Sequence, residues 1–223
     1  MMKARISTRI LRRFSVLALL AVFLAVPFFS MPAQSAAQTH NEQVAEDFIL
    51  TLADKAIASL TAPNTPRNER VKRFRALFNE YFAVRGIGKW VLGRHWKKAS
   101  EAQKKEYLHL FEDLMVVSYV ERFSRYAGET LKVVKTLPHK NKNITTVYAE
   151  LTQPGGASKI RMEWRVTTKG EKIKITDVTV EGISMGSTLK SDFGSIIRRE
   201  GNSVEGLIVA LREKTTSLKV STN

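Results

Sequence analysis

Lys159-Ile160-Arg161-Met162-Glu163-Trp164-Arg165-Val166-Thr167 alternates strictly, with Ile160, Met162, Trp164 and Val166 in one phase and Arg161, Glu163 and Arg165 in the other. Successive side chains of a strand point to opposite faces, so this stretch reads as a strand with one face buried and one in water. That pattern predicts an antiparallel sheet covered on one side. Three neighbouring segments, 131–136, 144–151 and 172–180, are short and rich in Val, Ile and Thr. Turn signals separate them at 138–143, at Pro154-Gly155-Gly156 and at Lys169-Gly170. In the last strand Ile173 and Ile175 share one phase while Val178 and Val180 share the other. A bulge near Thr176-Asp177, or burial on both faces, accounts for the switch.

Helical patterns flank these strands. Residues 41–61 repeat Val44, Phe48, Leu52, Ala56 and Leu60 every four positions, and Pro63 and Pro66 end the helix. A second helix over 67–82 places Val71, Phe74, Leu77, Phe78 and Tyr81 on one side. Residues 86–96 form a short helix or turn bounded by Gly86, Gly88 and Gly93. Ser100-x-x-Gln103 then fits a capping box that opens the longest helix. Its stripe is Tyr107, Phe111, Met115, Tyr119 and Phe123, joined by Leu108, Leu114 and Tyr126, and Gly128 stops it. After the strands, helices are expected over 185–199 and 203–214, with 218–223 as a frayed tail.

The first 37 residues are expected not to belong to the domain. Lys3, Arg5, Arg9, Arg12 and Arg13 precede an apolar run from Phe14 to Phe29 and the small-residue stretch Ala33-Gln34-Ser35-Ala36-Ala37. That order is a secretory signal peptide, with cleavage expected after Ala37; the apolar run is shorter than the roughly 20 residues a spanning helix needs. Residues 38–217 then make a single domain. The chain has no cysteine, so it relies on its core rather than on disulfides, and thiol chemistry and cysteine metal sites are excluded. The formal charge of +15 falls to +10 once the five basic leader residues are removed. Outside the inner membrane such a balance points to anionic lipid surfaces or acidic protein partners rather than nucleic acid, with a plain solvated basic surface as the alternative.

Reactive constellations are missing. His109 and Asp113 stand at i, i+4 and could pair as metal ligands, but both read as polar-face residues with no third ligand. His95 lacks a local carboxylate to orient it. Gly86-x-Gly88-Lys89 has the wrong spacing for a phosphate loop, and Ser184 and Ser187 do not form a nucleophile elbow. No enzyme, metal or cofactor is therefore predicted. What remains is apolar volume: Trp90, Val91, Trp96, Tyr107, Phe111, Met115, Tyr119, Phe123 and Trp164 fill either a closed core or a gap between helices and sheet that takes an apolar ligand.

Three blocks in order resemble the MlaC family of periplasmic phospholipid-binding proteins, the toluene-tolerance auxiliary components of ABC transporters. They are Val91-Leu92-Gly93-Arg94-His95-Trp96-Lys97-Lys98-Ala99-Ser100 with Gln103, Tyr107 and Phe111; Trp164, Asp177 and Glu181-Gly182-Ile183-Ser184-Met185; and Val204-Glu205-Gly206-Leu207. The similarity spans roughly residues 45–214. It implies an α+β fold in which helices pack on one twisted antiparallel sheet, four-stranded on the reading above, with an apolar cavity between the layers.

The resemblance also implies a monomeric periplasmic shuttle in outer-membrane lipid asymmetry. Its partners would be a phospholipid ligand, an outer-membrane lipoprotein complex and the MCE-domain subunit of an inner-membrane ABC transporter. A hopanoid-carrying branch shares the pattern, and a non-lipid interaction module with a closed core is the other alternative. On this reading the lipid-binding wall comprises Trp90, Val91, Tyr107, Phe111, Met115, Tyr119, Trp164, Val178, Val180, Ile183 and Met185. Lys104, Arg161 and Glu181 form a polar rim or docking surface, and Arg161 and Glu181 can also pair with each other.

Overall fold

The computed structural model describes residues 33–124, 128–141, 143–156 and 158–220. The basic and apolar parts of the leader, the side chain of Phe123 and Tyr126 lie outside them. Helices α1 (Ala33–Leu60), α2 (Arg67–Tyr81), α3 (Val84–Leu92) and α4 (Glu101–Ser124) precede four strands, β1 (Thr130–Pro138), β2 (Ile144–Thr152), β3 (Lys159–Lys169) and β4 (Lys172–Val180). A two-residue strand β5 (Ile183–Ser184) then leads into α5 (Met185–Arg199) and α6 (Val204–Val220). The sheet is antiparallel throughout in the order β1-β2-β3-β4-β5. It therefore has one strand more than the four expected, because β5 is too short to leave a periodic signal.

Local rules explain most boundaries. The capping box forms as read: the Ser100 backbone N–H donates to Gln103 Oε1 at 3.1 Å and the Gln103 N–H to Ser100 Oγ at 3.2 Å. The phase switch in β4 is a bulge, since Arg165 faces Asp177 while Val166 faces Ile175 and Thr176 is left over. A second bulge in β1 leaves Val134 without a partner and 57% exposed. Between β4 and β5, Glu181 and Gly182 have φ of 48° and 79°, as a two-residue hairpin loop with positive φ at both positions requires.

The last helix extends to Val220, so the expected frayed tail is helical as far as the described residues run. Its final turn is held because Leu218 packs on the core and Lys219 Nζ lies 3.1 Å from Asp113 Oδ2. Asp113 also differs from expectation. It is buried rather than on a solvated face, and it receives Arg75 Nη2 at 2.6 Å as well. Burial alone would raise its pKa, but hydrogen bonds from Arg75 and Lys219 outweigh that and hold the carboxyl below its usual value. This charge cluster ties α2, α4 and α6 together. His109 is mostly exposed.

The buried residues form two clusters. One joins α2 to α6 through Phe78, Val91, Leu92, Tyr107, Phe111, Met115, Phe193, Leu207 and Ile208. The other joins α1 to the inner face of the sheet through Ile49, Leu52, Val147, Ala149, Trp164, Val166 and Ile175. The Ala83 N–H donates to Ile175 O at 2.9 Å, and Phe82 bridges to Ile175, so the α2–α3 junction is pinned to β4.

Candidate lipid-binding cavity

Between the two clusters lies a cavity of about 390 Å³, within the roughly 300–1,000 Å³ of ligand pockets. Its walls come from both clusters. From α1 come Ile49, Leu52, Ala53, Ala56, Ile57 and Leu60, at i, i+3, i+4, i+7, i+8 and i+11 and hence on one helix face. The α2 wall is Phe74, Leu77 and Phe78, and the α4 wall is Phe111, Met115 and Tyr119. The sheet contributes Leu131, Leu151, Ile160, Met162 and Trp164. In it Leu131 faces Leu151 across the strands and Leu151 faces Ile160, so these side chains share the covered face. Val178, Val180, Met185 and Leu189 close the side toward α5. Ala53 and Ala56 are small, and they leave open space that larger residues would fill.

Polar atoms on the wall are few. Trp164 Nε1 and Glu129 Oε2 are buried without a protein hydrogen-bond partner. An indole N–H can only donate, so it suits an oxygen acceptor brought by a ligand. Asp177 also reaches the wall but is fully engaged: Ser184 Oγ donates to its Oδ2 at 2.6 Å, and the Gly186 N–H donates to its Oδ1 at 3.0 Å. These bonds fix the β5–α5 corner, where Ser184 caps the helix by accepting from the Ser187 N–H at 3.1 Å.

The same corner needs glycine at 186. A Cβ there would lie 3.1 Å from Asp177 Oδ1 and 3.2 Å from Trp90 Cζ3. Gly186→Ala is expected to lose about 1–2 kcal/mol, a fall in melting temperature of roughly 3–6 °C. Gly194→Ala, in the same helix with only Arg198 Nη1 nearby at 3.5 Å, should raise it instead, by the roughly 1 kcal/mol that separates Ala from Gly in a helix. Thermal melts of the two variants check the opposite signs.

Of the eleven side chains expected on the wall, Phe111, Met115, Tyr119, Trp164, Val178, Val180 and Met185 line the cavity and four do not. Tyr107 is wholly buried in the helical core, edge-on to Phe193 with centroids 6.2 Å apart, and its hydroxyl donates to Gly88 O at 2.9 Å. Burial pushes its phenol well above the usual pKa. Val91 is buried in the same core. Trp90 is 48% exposed because α3 is short and turns Val91 and Leu92, not Trp90, inward. Ile183 is 62% exposed on β5, an edge strand of the sheet.

The three rim residues also stand apart from the cavity wall. Arg161 and Glu181 pair with each other at 2.9 Å, and the Arg161 backbone N–H adds a bond to the same carboxylate. Those bonds, backbone first, hold Glu181 below its usual pKa. Lys104 pairs with Glu101 at 2.7 Å and lies 5.6 Å from the Trp96 ring centroid.

The MlaC protein family matches residues 50–213, most of the chain. The chain belongs to the MlaC family. Its structure is also similar to that of a phospholipid-binding protein from Ralstonia solanacearum, solved in complex with a phospholipid. That match has a TM-score of 0.68 at 18% identity and covers 78% of this chain and 98% of the other. It shows a shared α+β fold across the domain. Among the described residues of the MlaC-family chain, no helix is long and apolar enough to cross a membrane.

Proposed function

We propose that this MlaC-family protein is a periplasmic phospholipid carrier, exported by a cleaved leader. It exchanges lipid between an outer-membrane lipoprotein complex and an inner-membrane ABC transporter with an MCE-domain subunit, and so maintains outer-membrane lipid asymmetry. The observation that carries the reading is the apolar cavity separating two cores that a closed fold would have merged. The phospholipid held by the R. solanacearum protein of like fold supports the choice of ligand, as does the unpartnered Trp164 N–H, which fits an ester or phosphate oxygen.

The energetics favour a carrier that works by docking. Burying an acyl chain is worth about 0.8 kcal/mol per CH₂. Two chains of roughly 16 carbons then gain on the order of 25 kcal/mol over water, beyond the ~18–21 kcal/mol ceiling of non-covalent affinity. Release into water is therefore negligible. Relative to a bilayer or another apolar groove the same gain nearly cancels, so transfer needs contact rather than catalysis.

The expected result is that lipid-loaded protein keeps its lipid through extended dialysis but hands it to acceptor vesicles or a partner protein. Loss of lipid to buffer at a rate independent of acceptor would sink this reading.

A further inference from the structure

The exposed Trp90 has surroundings the carrier function does not use. Residues 84–98 hold Arg85, Lys89, Arg94, Lys97 and Lys98 and not one acidic side chain. Lys190, from α5, sets its ammonium 4.3 Å from the Trp90 ring centroid, and Lys89 lies 5.9 Å from that of Trp96. Ile183, 62% exposed, is three residues from Gly186, whose Cβ position would touch the Trp90 ring.

Two of the nearby acids are committed elsewhere, Glu181 to Arg161 and Asp177 to the β5–α5 corner, while Glu101 pairs with Lys104 and also lies near Arg85. Asp192 is two residues from Lys190, so it faces another side of α5. On the inner side of the same two helices, Ile87 and Leu189 line the cavity.

We propose that this α3–α5 face is a membrane-docking surface that adsorbs to anionic phospholipid bilayers, with Trp90 and Ile183 entering the headgroup layer and the surrounding cations engaging lipid phosphates. An indole with a lysine ammonium over its ring, in a segment with five basic residues and no acid, and an exposed aliphatic side chain near it match the chemistry of a bilayer interface. An acidic protein surface would satisfy the cations but would leave the exposed indole and isoleucine without an apolar partner. Adsorption here also sets the α3–α5 wall of the cavity against the bilayer. The proposal does not depend on which lipid the cavity carries.

Flotation of the protein, recovered from cells expressing the full chain, with vesicles of phosphatidylglycerol and phosphatidylcholine tests it. Binding should appear with the anionic vesicles, fall away with phosphatidylcholine alone and weaken in high salt. Each cation near the surface contributes roughly a fivefold change in affinity, so Lys89→Gln with Lys190→Gln should cost roughly 25-fold. The pair Lys132→Gln with Lys135→Gln, on the opposite edge strand, should cost little by comparison. Trp90→Phe should abolish a blue shift of tryptophan emission on vesicle binding.

Lipid content and melting temperature measured on each variant separate a docking defect from a loading or folding defect. Equal binding to both vesicle types, equal loss from the two lysine pairs, or binding only to an acidic protein and not to vesicles would each overturn the proposal.

Discussion

Ala53→Trp is expected to strip the protein of lipid while leaving its fold intact. Ala53 lies on the α1 face that lines the cavity, flanked one turn away on each side by Ile49 and Ile57. An indole there projects into space a ligand would occupy. Burying it gains about 1.5–3 kcal/mol, against a few tenths lost in helix propensity. The melting temperature of the lipid-free variant should therefore match or exceed that of lipid-free wild type. Extracted lipid should fall to a small fraction of the wild-type amount.

A closed core predicts the opposite: overpacking would cost about 1–3 kcal/mol with no lipid to lose. The paired readout of lipid content and thermal stability thus separates a cavity from a core.

Asp113→Ala is expected to destabilise the helical layer although it removes almost no apolar surface. Asp113 has a side chain only 9% exposed and carries both Arg75 and Lys219, on two different helices. Removing it takes one of two carboxylates from the Arg75 guanidinium, which is 31% exposed and keeps Glu112 at 2.7 Å. Leaving a buried charge wholly uncompensated costs about 3–5 kcal/mol; because Arg75 keeps Glu112 and Lys219 is half-exposed, this loss should be about 1–2 kcal/mol. Denaturant melts should show that loss with an unchanged m-value, and Lys219→Ala, which leaves the Arg75 pair standing, should cost under about 1 kcal/mol.

Neither Ala53 nor Asp113 is legible as a functional or buried residue in the sequence, whereas the sheet is. Alternation in 159–167 makes the sheet and its covered face legible, because period-2 patterns report directly on facing; the phase switch in β4 leaves open a bulge near Thr176-Asp177 or burial on both faces, and the register puts the bulge at Thr176. The α4 stripe was legible too, yet it serves two purposes at once: Phe111, Met115 and Tyr119 line the cavity while Tyr107 packs only against helices. Helical periodicity gives a face, not what that face meets.

The α1 wall was missed for a related reason. The every-fourth-residue stripe of Val44 to Leu60 drew attention from Ile49, Ala53 and Ile57, although Ile49, Leu52, Ala53, Ala56 and Ile57 carry a broader stripe at helical spacing. Alanine contributes by absence of volume, which no count of large apolar residues registers. Trp90 and Ile183 differ the other way: on a short helix and at a sheet edge hydrophobicity does not entail burial. Asp113 read as a surface residue because its partners, Arg75 and Lys219, are 38 and 106 positions away.

Native mass spectrometry of the protein, recovered from cells expressing the full chain and never exposed to organic solvent or detergent, tests the central claim most directly. A carrier whose lipid cannot escape into water should appear as a complex one phospholipid heavier than the chain, with the lipid released intact on collisional activation. Appearance of the bare chain alone, with no lipid in an organic extract of the same sample, would contradict it.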